Sequence, residues 1–180
     1  MKLSMFAAAV VVAFGGAVTL AQQGGNVTAK ADIKGTNITG TAQFVEHAMG
    51  TGTMVEITVQ VSGLAPGRHG VHLHAIGKCE PDFTAAGGHF DPGPAGNTDP
   101  DANHPFHMGD IPNLEVGANG QGQMKITTTR VTLSAGPLSL FDADGTAIII
   151  HGNPDQGTTG EPKSGVSGGP RVACGVVTKQ

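Results

Sequence analysis

His72 and His74 flank Leu73 in the run His69-Gly-Val-His-Leu-His74. Successive side chains of a strand point to opposite faces, so an extended backbone here puts His72 and His74 on one face, within reach of a single metal ion. A further histidine, His89, follows the pair Gly87-Gly88, with Cys79 in between. His104, His107 and Asp110 recur at every third position, and His151 ends the apolar run Ala147-Ile-Ile-Ile150. Imidazole ligates both copper and zinc, and zinc also accepts carboxylate. These seven donors are too many for one tetrahedral site. Two four-coordinate sites sharing one histidine would use all seven, and an imidazole can be shared because it carries two ring nitrogens.

The elements that must present these donors read as strands. Val27, Ala29, Ala31 and Ile33 alternate with polar residues, and Thr41 to Glu46 continues in an extended pattern. Val55, Ile57, Val59 and Val61 alternate with Glu56, Thr58 and Gln60, the strongest strand signal in the chain. Leu64-Ala-Pro-Gly67 is a turn into the His-rich strand, and Met49 to Gly52, Asn119-Gly120 and Asp144-Gly145 mark other turns. Met124 to Leu133 reads as one or two strands, and Arg171 to Val177 as another, with Val172, Cys174 and Val176 on one side. Residues 90–113 and 152–170 are rich in Pro, Gly, Asn and Asp without periodicity. Loops of that length inside a compact domain are usually functional or disordered, and each lies beside a histidine of the cluster. Many short strands with Gly/Pro turns and no useful helical period predict an all-β antiparallel sandwich or barrel.

The 180 residues suffice for one domain with a sizeable core. Only 13% are charged, 29 are Gly, and six of the eight His fall between 69 and 107. A net charge of −4 argues against a nucleic-acid binder, which carries a basic face. Lys2 followed by the apolar stretch Met5–Leu20 and a small-x-small sequence reads as an export signal cut after Ala21, leaving residues 22–180 as the mature domain. The competing reading is an uncleaved anchor, but the run is borderline in length for a span of ~20 residues, which favours the signal, and no stable membrane association is expected. Removing the signal takes Lys2 and no acid, so −4 becomes −5. Cys79 and Cys174 are the two cysteines, and in an oxidising compartment a disulfide between them is the default.

The chain resembles the Cu,Zn superoxide dismutase family, in its bacterial, exported form. The matching pieces are His69-Gly-Val-His-Leu-His74, Gly77-Lys-Cys79, Ala86-Gly-Gly-His-Phe-Asp-Pro92, His107-Met-Gly-Asp-Ile-Pro-Asn-Leu114, Ala147-Ile-Ile-Ile-His151 and Gly169-Pro-Arg-Val-Ala-Cys-Gly175. They stand in the family's order and cover most of the chain from about residue 27, which makes them far more specific together than singly. The resemblance implies an eight-stranded antiparallel Greek-key β-barrel with two long functional loops. It implies that His72, His74, His89 and His151 hold copper, that His89 bridges, and that His89, His107 and Asp110 hold zinc. Arg171 would stand beside the copper and draw in the superoxide anion, Asp155 would link ligands of the two metals from behind, and Cys79 and Cys174 would form the family's disulfide. The implied reaction is dismutation of superoxide. A homodimer is compatible with the resemblance, since relatives are often homodimers, although no interface is readable in the sequence.

Residue chemistry supports this reading independently. A one-electron reaction needs a redox metal, which zinc is not. An all-imidazole set suits copper, and a set with a carboxylate suits zinc. Arginine stays protonated at any working pH and attracts an anion. A locally positive cleft steers a small anion despite a negative net charge, and Lys163 is a candidate for that steering as well as an ordinary solvated lysine.

One departure from the family stands out. Its remaining zinc histidine usually lies eight or nine residues before the His-x-x-Asp pair, where this chain has Asn97, Thr98 and Asp99. His104 is the histidine left to serve as fourth zinc ligand, with Asp91, Asp99 and Asp101 as rivals. His47 reads as a strand-edge histidine, and His69 as one that hydrogen-bonds within the fold because its face is opposite to that of His72. Two alternatives compete. One is an exported, non-catalytic copper/zinc-binding protein on the same fold. The other is a mononuclear cupin-type barrel using His72, His74 and Glu80, which leaves His104, His107 and Asp110 unexplained.

Overall fold

The computed structural model describes residues 26–93 and 96–180. The proposed export signal and cleavage site lie outside the described residues. Nine strands form: β1 Val27–Gly35, β2 Ile38–Met49, β3 Gly52–Ser62, β4 Gly67–His74, β5 Asp110–Val116, β6 Gln121–Thr128, β7 Ala147–His151, β8 Arg171–Val176 and the short β9 Thr178–Lys179. The hydrogen-bonded order is β2-β3-β6-β5-β4-β7-β8-β1-β9, and β1 also pairs with β2, so the first eight strands close into a barrel. Closure leaves no long free sheet edge among the described residues. All pairings between strands are antiparallel. β3 pairs with β6 rather than with its successor β4, which gives the expected Greek-key path.

The period-two pattern explains the core. Ala29, Ala31 and Ile33 of β1, Ala42 and Phe44 of β2, and Val55, Ile57 and Val59 of β3 point inward and are buried. β7 is buried along its whole length because both of its faces are covered. Ile148 and Ile150 join the barrel interior, while Ala147 and Ile149 pack outside it with Ala86 and Cys174. A Cys79–Cys174 disulfide ties the segment after β4 to β8.

Three readings of the sequence change. The long segment from 90 is not irregular throughout, since β5 begins at Asp110. Pro112 and a register shift opposite His69/Val71 break its alternation and hide the strand. The strand expected over Met124–Leu133 ends at Thr128, and a loop turns Val131 and Leu133 into the core. Val176 is exposed rather than sharing the buried side with Cys174. None of the described helices is long and apolar enough to cross a membrane.

Candidate metal centre

On β4, Val71 and Leu73 face the barrel core, so His72 and His74 face outward under the long loops. β7 lies beside β4 with Ile149 opposite His72 and Ala147 opposite His74, and His151 ends the same outer face. A register shift at Ile150/His151 re-aims this last residue, a common use of irregularities beside sites. His89 is brought alongside by a β-bridge to His74, with Phe90 anchored in the core behind it. All four rings are buried.

Each ring is fixed by one nitrogen and leaves the other free. His74 Nδ1 donates to the Gly87 carbonyl at 3.0 Å, and His151 Nδ1 to the Gly169 carbonyl at 3.0 Å. His72 Nε2 bonds Asp155 Oδ2 at 3.1 Å. His89 Nδ1 bonds Asp110 Oδ1 at 2.6 Å. The opposite nitrogens, His72 Nδ1, His74 Nε2, His89 Nε2 and His151 Nε2, are buried and have no hydrogen-bond partner. Buried polar atoms without partners are rare in native proteins. One donor atom from each of these four residues lies within 4.8 Å of those of the others. A bond at one ring nitrogen fixes the tautomer and turns the other lone pair toward a metal, so this arrangement fits a cation.

The remaining donors meet on the other side of His89. His104 Nδ1 is 3.3 Å from Asp110 Oδ2, and its Nε2 is 2.6 Å from Asp155 Oδ1. His107 Nδ1 lies 3.0 Å from Asp110 Oδ2. A second ligand-like group comprises His72, His89, His104 and Asp110, with donor atoms again within 4.8 Å. His107 is held against the same carboxylate but stands outside that group. The structure therefore brings His104 into the site, three residues before the pair it was expected to complete. Of its rivals, Asp101 turns away to the second long loop, and Asp99 caps a turn by accepting from the Asp101 and Ala102 amides. Asp91 belongs to neither ligand group among the described residues.

The two halves differ in electrostatics. Burial depresses the pKa of His151 and His89 to about 3, with neighbouring histidines adding to the effect. Burial also lowers His72 and pushes His74 well below its ordinary value. Their imidazoles are neutral, which is the ligating form. For His104, burial works downward, but the Asp110 and Asp155 carboxylates outweigh it and lift the pKa to about 9. Burial would raise both of those carboxylic acids, yet the hydrogen bonds from the histidines hold them far below the ordinary range. This half is built around negative charge that calls for a cation.

Around the ligands stand residues with positioning contacts. Asp155 bridges His72 and His104 with its two oxygens. Its own backbone is clamped by Asn113, which accepts from its N–H and donates to its carbonyl, both at 2.8 Å. Arg130 donates to the His107 and Asp110 carbonyls. His69 sits behind the site with its ring nitrogens 2.8 Å from the His151 carbonyl and 2.9 Å from that of Ala65. Gly70 keeps the pocket open, because a Cβ there would meet the Ser167 carbonyl at 3.1 Å and His72 Cε1 at 3.3 Å. Asn113, Arg130 and Gly70 were not singled out from the sequence, where each resembles an ordinary polar or turn residue.

Arg171 is half-buried on β8 and donates to the carbonyls of Phe83 at 2.7 Å and Gly87 at 2.6 Å. Gly87 also accepts from His74, so one carbonyl holds the guanidinium next to a ligand-like imidazole. Burial draws Arg171 below its ordinary pKa and Asp82 opposes this, yet an arginine keeps its charge.

An eight-stranded Greek-key barrel carrying two adjoining His-rich ligand groups on its outer face, covered by two loops, defines a dinuclear metalloprotein. The Copper/zinc superoxide dismutase (SODC) family profile matches residues 38–177, and this chain belongs to that family. It is 38% identical to a superoxide dismutase [Cu-Zn] of Deinococcus radiodurans over 165 residues, covering 84% of this chain and 85% of that one. It is 40% identical to a superoxide dismutase [Cu-Zn] of Caulobacter vibrioides over 129 residues, covering 68% and 71%. Among solved structures, an SOD-like protein from Bacillus subtilis superposes with a TM-score of 0.67 at 30% identity, covering 82% and 96%. The clock protein EA4 superposes with a TM-score of 0.70 at 25% identity, covering 85% and 94%.

Proposed function

We propose that this chain is a superoxide dismutase with copper held by His72, His74, His89 and His151, and zinc held by His89, His104, His107 and Asp110. The observation that carries it is the set of four buried, unpartnered imidazole nitrogens on residues whose donor atoms lie within 4.8 Å of one another. In the overall reaction two superoxide anions and two protons give one O₂ and one hydrogen peroxide. Copper held there would supply the one-electron couple this reaction needs.

The chain's own residues do the rest. The Arg171 guanidinium, fixed by the Phe83 and Gly87 carbonyls, presents permanent positive charge beside His74 and attracts the anion. Lys163, exposed on the second long loop, is the candidate for further steering of the anion. His89 is shared, with Nε2 on one group and Nδ1 toward Asp110 on the other. Asp155 orients His72 and His104 together, and ligand orientation of this kind raises metal affinity.

Export through a signal peptide over residues 1–21 is part of the same proposal, placing the mature chain in the periplasm or outside the cell. The Cys79–Cys174 bond fits an oxidising compartment. A homodimer is the proposed assembly, with neither a nucleic acid nor a membrane as partner.

The test is metal content and superoxide removal measured on one purified, copper- and zinc-loaded sample, with His151→Ala alongside. About one copper and one zinc per chain, with fast removal that His151→Ala abolishes, is the expected result. Both metals bound without activity would favour the non-catalytic binder instead.

A further inference from the structure

Asp101 is charged, buried to 4% exposure, and belongs to neither ligand group. Its Oδ2 accepts from the Gly165 amide at 2.9 Å, and its Oδ1 from the Ser167 amide at 3.1 Å and the Ser167 hydroxyl at 2.8 Å. All three donors lie on the second long loop, 64 to 66 positions away. Two neighbouring contacts run the same way. The Gly160 amide donates to the Asp101 carbonyl at 2.9 Å, and the Thr159 hydroxyl to the His104 carbonyl at 2.6 Å. Burial would raise the Asp101 carboxylic acid, but these hydrogen bonds hold it below the ordinary range, so it stays ionised.

The position of this clasp gives it a consequence. His104 follows Asp101 by three residues, and the loop it grips carries Asp155, whose Oδ1 lies 2.6 Å from His104 Nε2. The same loop carries Gly169, whose carbonyl accepts from His151. His104 is borne on irregular backbone, without a strand to fix where its Nδ1 points. Something other than secondary structure has to set the register between the two loops.

We propose that Asp101 is a positioning residue for the zinc side: its carboxylate locks the second long loop onto the first, so that Asp155 meets His104 and turns His104 Nδ1 toward Asp110. The proposal rests on the reading that His104 is a zinc ligand. Removing a direct hydrogen-bond partner of a ligand lowers metal affinity by about 10- to 100-fold, which sets the upper limit for a residue that acts through Asp155.

The test compares wild type, Asp101→Asn, Asp101→Ala and Ser167→Ala by competition for Zn²⁺ with a chromophoric chelator, with thermal unfolding of the metal-free forms recorded in parallel. Cobalt substitution gives a spectroscopic view of the same site. The expected order of zinc affinity is wild type, then Ser167→Ala and Asp101→Asn, then Asp101→Ala, about 10-fold weaker than wild type, with a changed cobalt visible spectrum. Unchanged zinc affinity in all variants, with only a lower unfolding temperature, overturns the inference and leaves Asp101 a structural clasp. A wild type that takes up no zinc overturns the zinc reading as well, and so separates the two failures. Where Asp101→Ala does not fold, Asp101→Asn and Ser167→Ala decide the matter by the same criterion.

Discussion

The two halves of the metal centre are built differently. On the proposed copper side, His72, His74 and His151 stand on adjacent strands, and His89 is tied to His74 by a β-bridge. On the proposed zinc side, His104 and His107 come from irregular backbone, and Asp110 is the first residue of a strand. Strand ligands take their directions from backbone alternation. Loop ligands take theirs from long-range side-chain clamps: Asp155 on His104, Asn113 on Asp155, Arg130 on the His107 and Asp110 carbonyls, and Asp101 on the second loop. Electrostatics divide along the same line, with neutral histidines of depressed pKa on one side and a histidine–carboxylate cluster on the other.

The largest effect should come from His151→Ala. It removes an imidazole from the copper side without touching a zinc-side contact. Superoxide removal should fall well beyond the ~100-fold that an indirect partner costs, while zinc content stays near that of wild type. Loss of both metals together would break the comparison. The reciprocal substitution, His104→Ala, should weaken zinc by more than ~100-fold and leave copper uptake intact, read by metal analysis after dialysis against a graded chelator. Asp155→Ala should blur the boundary. Its carboxylate serves both His72 and His104, so copper and zinc affinities should each drop by about 10- to 100-fold. If one metal alone is affected, the bridge has no energetic meaning.

The effect of pH on the metal-free protein is smaller and opposite in sign for the two halves. His89 and His151 titrate near 3 when folded and near their ordinary value of about 6.5 when unfolded. Between those limits the unfolded chain binds more protons, so stability falls as pH drops through that window, by about 1.4 kcal/mol per pH unit for each such group. His104 titrates at about 9 when folded, so its contribution is full below about 6.5 and is lost as pH rises through 9. Thermal unfolding of metal-free wild type should worsen at both ends. In His104→Ala the alkaline loss should be reduced and the acid loss kept. An unchanged alkaline limb would show that the carboxylate cluster does not hold the His104 proton.

The same division decides what could be read in advance. His72 and His74 were legible because alternation with Val71 and Leu73 is a local signal, and His151 because it ends a short apolar run. The strands from Val27 and from Val55 were equally plain. β5 was not, because Pro112 and Asn113 interrupt its pattern and a register shift displaces its parity. His104 could be named from the sequence only as the histidine left over, with Asp91, Asp99 and Asp101 as rivals. Asp101 differs from them through contacts made more than sixty residues away, which leave no local trace.

What the sequence determined by itself was therefore the chemistry available and the faces that carry it: seven donors, one cysteine pair, and strands whose two-residue period sorts core from site. Steric limits on neighbouring residues set those features, and they need no knowledge of the fold. Only the tertiary structure decided that β3 pairs with β6 and β1 with β2 to close the barrel, that His104 lies between Asp110 and Asp155, and that Arg171 and His74 share the Gly87 carbonyl. Each of those depends on segments far apart in the chain arriving at one place, which barrel closure and loop clamps bring about and local sequence preference does not encode.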